Sequence, residues 1–370
     1  MENIFENSAD AVQDSAFEEY TDDITSKEIE GMTLNSVYQP THKVKIFYGN
    51  SHPELAKSII NYLGIPPGKA TVSRFDNGEI KVKIEEDVRG HRIFIIQPTC
   101  GNVNDALMEL LIIIDAMRRA SAHQICAVIP YYGYAKQEKK TSGREPITAK
   151  LVANLMRTAG MDRLITCDLH AAAIQGFFDI PVDNLSVISI LAKHYEQKHI
   201  PPDELVIVSP DAGGVTRASN LAERMGGKLA IIFKRRPKPD QVSIIDIVGD
   251  VKGKICIIID DMVSTGKTLV RGAETLIKHG AKKVYAAVTH AILAKDAADI
   301  IENSPIEEFV VTDSIPISER AARMKNLHVI PLAPFLGEAI RRTNFNLSIS
   351  KLSEELPRFY KEKLEIYHKK

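Results

Sequence analysis

The segment KICIIIDD (254–261) holds five apolar residues in a row, Ile255 to Ile259, and then stops on two acids. A strand wetted on one face alternates apolar and polar residues, whereas an unbroken run needs cover on both faces, as a parallel strand between helical layers has. Further β-rich runs follow the same habit: KVKIFYG (43–49), HRIFIIQP (91–98), HQICAVIPYY (123–132), RLITCDL (163–169), ELVIVSP (204–210), KLAIIFK (228–234), KVYAAVTH (283–290), EEFVVTDS (307–314) and HVIPLA (328–333). Helical patterns separate them. Residues 105–121 have apolar positions on more than one face and read as a buried helix, while 148–159 and 268–279 stop before Gly160 and Gly280, where a left-handed residue closes a helix. The alternation predicts an α/β chain of two similar domains, each a mainly parallel, doubly wound sheet flanked by helices, with the boundary near 183–190.

Composition narrows the partners. Across 370 residues the formal net charge is −1, so no global field favours nucleic acid or an anionic membrane. Cys100, Cys126, Cys167 and Cys256 match no zinc or redox spacing and read as reduced core thiols. No apolar run reaches membrane-spanning length. Residues 1–41 are acidic, from Glu2 to Glu30 against the single base Lys27, which suits neither a secretory signal nor a transit peptide and reads as a disordered tail. A cytoplasmic protein is expected.

The chemistry gathers where strands end. Gly266-Lys267-Thr268 suggests a P-loop, but Asp261 occupies the place of that loop's first glycine, and a carboxylate there repels a triphosphate. A short turn (264–268) opening a helix instead offers backbone N–H groups to a phosphate dianion, with Thr265 and Thr268 adding hydroxyls. Asp260 and Asp261 can accept hydrogen bonds from a vicinal diol, so the pattern describes a ribose 5-phosphate. The bland alternative is a capped helix beside a buried acid pair; adjacent acids after an isoleucine run are costly without a partner, which disfavours it. Asp168 and His170 close another strand, Asp211-Ala212-Gly213-Gly214 a third, and Lys234-Arg235-Arg236 a fourth.

Taken in order, IIIDDMVSTGKTL (257–269), MELLIIIDAMRRASA (108–122), IPYYGYAKQEKK (129–140), REPITAKLVANLM (144–156), CDLHAAAIQGFFDIPVDNL (167–185), IVSPDAGGVTRA (207–218) and KRRPKPDQV (234–242) resemble the ribose-phosphate pyrophosphokinase (phosphoribosyl pyrophosphate synthetase) family, its phosphate-activated class most of all. The resemblance spans about residues 43 to 350. It implies transfer of the β,γ-diphosphoryl group of Mg-ATP to the 1-hydroxyl of ribose 5-phosphate, with Mg2+ as cofactor. Lys234 and Arg236 match the catalytic pair that stabilises charge on the transferred group. Phe75, Asn77, Glu79, Lys136, Gln137 and His170 match ATP-binding positions, Phe75 stacking on the base from a segment that crosses a dimer interface. His170 and Asp211 match the metal-associated positions, and Asp211, Asp260, Asp261, Ser264, Thr265, Gly266, Lys267 and Thr268 the ribose 5-phosphate site. Arg89, Arg144, Gln175, Asp183, Asn184, Ser348 and Ser350 match a site for the effectors inorganic phosphate and ADP at a subunit interface. Family members are commonly hexamers built from homodimers.

Some positions depart from the family pattern. Ser264 replaces an aspartate, Lys267 a glycine, Lys136 an arginine and Glu138 an aspartate; Thr141, Ser142, Gly143 and Ala172 differ, and after Ser350 a charged stretch (351–370) with helical character replaces the usual ending. A lysine at a position needing positive φ would be strained. These changes motivate a second reading, a weakly catalytic or non-catalytic regulatory subunit of a synthetase. A third, a phosphoribosyltransferase or a regulator that senses phosphoribosyl pyrophosphate, draws only on 254–270. The domain plan is an acidic tail (1–41), an N-terminal domain (42–186), a C-terminal domain (187–346) and a C-terminal segment (347–370).

Overall fold

The computed structural model describes residues 43–235, 244–352 and 360. In chain order come β1 (Val44–Tyr48), α1 (Pro53–Leu63), β2 (Ala70–Arg74), β3 (Ile80–Ile84), β4 (Arg92–Ile96), α2 (Val103–Arg119), β5 (Gln124–Ile129), α3 (Thr148–Ala159), β6 (Arg163–Cys167) and β7 (Val182–Leu185). They are followed by α4 (Ile188–Glu196), β8 (Leu205–Ser209), α5 (Val215–Met225), β9 (Lys228–Arg235), β10 (Ile244–Val248), β11 (Ile255–Val263), α6 (Lys267–Lys278), β12 (Lys283–Ala291), α7 (Ala297–Glu302), β13 (Ile306–Thr312), α8 (Glu319–Ala322), β14 (Leu327–Ile330) and α9 (Ala333–Asn344).

Every strand predicted from an apolar run is present. The patterning missed β2 and β3, an antiparallel hairpin outside both large sheets, and the short edge strands β7 and β10. β2 and β3 alternate exposed with partly buried residues and β7 reads VDNL, so these three lack the continuous apolar signature. The predicted acidic tail, and most of the predicted C-terminal segment, lie outside the described residues.

The first sheet is parallel throughout, in the order β1-β4-β5-β6-β7. The second has the order β10-β9-β8-β11-β12-β13-β14, parallel except for β10 against β9. Between β8 and β11 its strand order reverses, so the connections on either side run to opposite faces and leave a crevice at the strands' carboxyl ends. One apolar cluster joins both sheets: Phe94, Val128 and Ile165 from the first meet Ile207, Ile257 and Val310 from the second around α1, α4, α5 and α9. The outer faces are covered separately, by α2 and α3 on the first sheet and by α6 and α7 on the second. Contrary to expectation, α2 is not buried all round: Leu110, Ile113, Ile114 and Met117 face the sheet, whereas Met108 is exposed, because among the described residues no further layer covers that side.

Candidate active site

β8 and β11 are hydrogen-bonded neighbours, pairing Val208 with Ile258, so the loop after β8 and the acid pair in β11 come together at the reversal. Asp211 lies exposed in that loop, its Oδ1 accepting from Gly213 N at 2.8 Å and Gly214 N at 3.0 Å. Six residues after Asp211, Arg217 sits in the first turn of α5 with its guanidinium 3.7 Å from both Asp260 and Asp261.

The acid pair has a partner from the other sheet. His170, just past β6, places Nδ1 at 2.8 Å from Asp261 Oδ2. That bond raises the imidazole above its ordinary range, the charge on Asp261 adding to it and partial burial opposing it. Burial alone would push Asp261 up; the bonds from His170 and Asp260 and the charge of Arg217 prevail and hold it low. Asp260, partly desolvated and hydrogen-bonded to its ionised neighbour, is pushed up to about 7. The costly acid pair noted in the sequence is thus compensated within the protein itself, by His170 and Arg217, before any diol arrives.

Downstream of the acids, Ser264 O accepts from Ala294 N at 2.9 Å, which anchors the turn. Gly266 takes φ 73° at the N-terminus of α6, where a Cβ would meet Ile301 Cγ1 at 3.0 Å. Lys267 is the first residue of α6 and is not among the residues with positive φ, so the strain feared for a lysine there does not arise. Thr265, Lys267 and Thr268 are exposed beside helix N–H groups that no side chain caps.

On the first sheet, Lys136 and Gln137 line a cavity of about 350 Å³ with Val103, Asn104, Tyr131 and Tyr134. Gln137 Oε1 accepts from Thr148 Oγ1 at 2.6 Å. The charges of Lys136 and Glu138 both act on His170, so this segment faces the acid cluster. Phe75, Asn77 and Glu79 form the tip of the β2–β3 hairpin; Phe75 is 50% exposed, with Lys81 Nζ 5.3 Å from its ring centroid. A core role for Phe75 is thereby excluded. The altered stretch Thr141-Ser142 wraps Glu145, which accepts from Thr141 N at 2.7 Å and Ser142 N at 3.0 Å.

Lys234 lies in β9, with its backbone opposite Ile245, and Arg236 lies outside the described residues. The predicted effector residues are spread along the chain. Asp183 receives Arg163 Nε at 2.8 Å, Asn184 receives Leu169 N at 3.0 Å, and Ser348 Oγ lies 2.8 Å from Ser350 Oγ. Gln175 bonds Ala172 O within its own 3-10 turn, while Arg89 and Arg144 are exposed in loops. Sequence reasoning had quoted the VTRA segment without singling out Arg217; its place one helical turn past the Asp211 loop was the available signal. All four cysteines are buried and free. Among the described residues, no helix is long and apolar enough to cross a membrane.

Comparison with known proteins accounts for this geometry. Residues 44–160 match the model for the N-terminal domain of ribose phosphate pyrophosphokinase, and 233–354 that for the phosphoribosyl synthetase-associated domain. The ribose-phosphate pyrophosphokinase of Thermosipho africanus is 53% identical over 84% of this chain and 98% of its own length. That of Listeria ivanovii is 50% identical over 86% and 99%. The crystal structure of phosphoribosylpyrophosphate synthetase from Mycobacterium smegmatis superposes with a TM-score of 0.78 at 42% identity, covering 82% of this chain and 99% of that one. The two mainly parallel sheets, the crevice at the strand reversal and this likeness along nearly the full length of its relatives place the chain in the ribose-phosphate pyrophosphokinase family.

Proposed function

We infer that the protein is a ribose-phosphate diphosphokinase, transferring the β,γ-diphosphoryl group of ATP to the 1-hydroxyl of ribose 5-phosphate to give phosphoribosyl pyrophosphate and AMP for nucleotide synthesis. One observation carries this reading: a turn with uncapped helix N–H groups and an acid pair occupy the strand reversal of a chain about half identical to ribose-phosphate pyrophosphokinases over nearly their whole length.

In this reading the turn 264–268 binds the 5-phosphate, and Asp260 and Asp261 hold the ribose hydroxyls with Asp211. Arg217 and His170 keep Asp261 charged and orient the pair. ATP lies toward the first sheet, its phosphates and sugar met by Lys136, Gln137 and His170. Its base rests on Phe75, Asn77 and Glu79 of a second copy's hairpin, which accounts for an aromatic ring left exposed on the tip. Lys234 and Arg236 neutralise the transferred group, a reaction that depends on positioning and charge stabilisation. The domain division 42–186 and 187–346 assigns the ATP side to one half and the sugar side to the other. Arg89, Arg144, Gln175, Asp183, Asn184, Ser348 and Ser350 would form the site for phosphate or ADP where subunits assemble.

The residues also fit Mg2+. Among the described residues no group of three or more His, Cys, Asp or Glu side chains makes a ready cage. Mg2+ needs none, because it takes one or two carboxylates and completes its shell with water and phosphate oxygens. Burial and its ionised neighbour push the Asp260 carboxyl up, so a cation-bearing ligand beside it would favour its charged form. Asp211 would hold the ion directly and His170 through water or phosphate; when bound, it supplies charge neutralisation on the ATP phosphates.

The test is AMP formation from Mg-ATP with and without ribose 5-phosphate. The reading requires AMP only with the sugar and its loss in Lys234→Ala. AMP formed equally without the sugar, or none from folded protein, contradicts it.

A further inference from the structure

His170 reaches Asp261 from a loop whose three preceding residues are each fastened from outside. Cys167 O lies 3.2 Å from His290 Nε2, and Leu169 N donates to Asn184 Oδ1 at 3.0 Å. Between them Asp168 takes φ 36°, an unfavourable backbone conformation for a residue with a side chain. Its carboxylate Oδ2 accepts from Val187 N at 3.3 Å and from Thr289 Oγ1 at 2.6 Å. Thr289 and His290 belong to β12 of the second sheet, whereas Cys167 and Asp168 close β6 of the first. Both β12 residues are essentially fully buried. Behind them, Thr312 Oγ1 donates to Thr289 O at 2.7 Å, and His290 Nδ1 lies 2.8 Å from Ser314 Oγ.

A buried threonine hydroxyl donating to a carboxylate makes a charge-assisted bond of fixed direction. Here it crosses the seam between the two sheets and ends two residues before His170. The acid pair that His170 meets lies on β11, the strand hydrogen-bonded beside β12, with Asp260 opposite Val288. The same strand neighbourhood therefore holds both Asp261 and the clamp on the loop that delivers its partner.

We propose that Thr289 is a positioning residue: its hydroxyl, acting through Asp168, sets where His170 stands against Asp261, and so aligns the first sheet's contribution with the second sheet's crevice. The inference rests on the diphosphokinase reading for its kinetic consequence, but not for its structural one.

The experiment compares wild type with Thr289→Val, Thr289→Ser and Thr312→Val, measuring kcat, both KM values and the melting temperature. Thr289→Val should lower kcat about ten- to a hundredfold with smaller changes in KM, as expected when a reacting group is displaced by a fraction of an ångström. Thr289→Ser keeps the hydroxyl and should restore kcat to within about threefold of wild type. Thr312→Val removes a buried bond behind Thr289, inside the second sheet; it should lower the melting temperature without a matching loss of kcat. Should Thr289→Val not fold, Thr289→Cys, with a weaker donor of similar size, should give the same kcat loss in smaller measure. The His170 imidazole resonances of histidine-labelled free protein report the clamp without turnover: they should move in Thr289→Val and stay in Thr289→Ser. Wild-type kcat in Thr289→Val, or equal kcat losses in Thr289→Val and Thr312→Val, overturns the proposal. If wild type itself forms no AMP, the diphosphokinase reading fails on its own, and an unmoved His170 in Thr289→Val then rejects the clamp.

Discussion

In the second sheet the strand order reverses between β8 and β11, whereas in the first it runs one way from β1 to β7. A reversal sends adjacent connections to opposite faces and opens a crevice that one sheet can furnish by itself. The second sheet does so, with Asp211 on one side of the reversal and Asp260, Asp261 and the 264–268 turn on the other. The first sheet has no such opening of its own. Its polar strand end, Asp168 to His170, acquires a function only by meeting the second sheet across the seam. The two halves share an α/β plan, and their strand order determines which one has the crevice, where the proposed sugar site lies, and which one reaches into it.

The contrast can be broken most severely at the point where the halves touch. Asp261→Asn removes the charge that pairs with His170 and Arg217; kcat should fall about a hundred- to a thousandfold, the range for losing one preorganised electrostatic group. A near wild-type kcat would mean that the acid pair is structural. Within the second half alone, Gly266→Ala forces a side chain into left-handed backbone, at a cost of about 1–2 kcal/mol, and against Ile301. The KM for ribose 5-phosphate should rise about tenfold and the KM for ATP should hardly change. Equal changes in both would show that the turn does not serve one substrate.

The smallest effect concerns the seam away from the chemistry. Asp313 follows β13; its backbone O lies 2.9 Å from His52 Nε2 on the first half, and its Oδ1 accepts from Leu332 N at 2.7 Å. Burial raises its carboxyl from 3.8 to about 6, against the pull of the Leu332 N–H. A folded group that keeps its proton longer than the unfolded chain stabilises below the unfolded pKa, and that contribution is lost as pH rises through the folded one. Asp313→Asn should therefore melt about 2–4 °C above wild type at pH 8, with the gap closing toward pH 4. A gap that widens on acidification would reverse the assignment.

Much of this was legible in the sequence because buried parallel strands write themselves as unbroken apolar runs. KICIIIDD announced both β11 and the acids at its end. The hairpin carrying Phe75 was missed, although IKVKI alternates as a half-buried strand should. The pairing of His170 with Asp261, 91 positions away, could not be read, because it depends on how two sheets dock. The same holds for Thr289: a threonine in an apolar strand looks like filler until the facing carboxylate is known. Lys267 shows the converse. Its departure from the family pattern looked strained, and only the backbone shows that the positive φ falls on Gly266 instead.

The central claim is that one site is assembled from two sheets, with His170 and Asp261 acting as a unit. A double-mutant cycle tests it most directly: kcat/KM for His170→Ala, Asp261→Asn and the double variant, under saturating Mg2+. Coupled residues should show a double loss close to the larger single loss, an interaction energy of about 0.5–3 kcal/mol. Losses that simply multiply would show that the two side chains act independently, and the account of a site shared across the seam would fail.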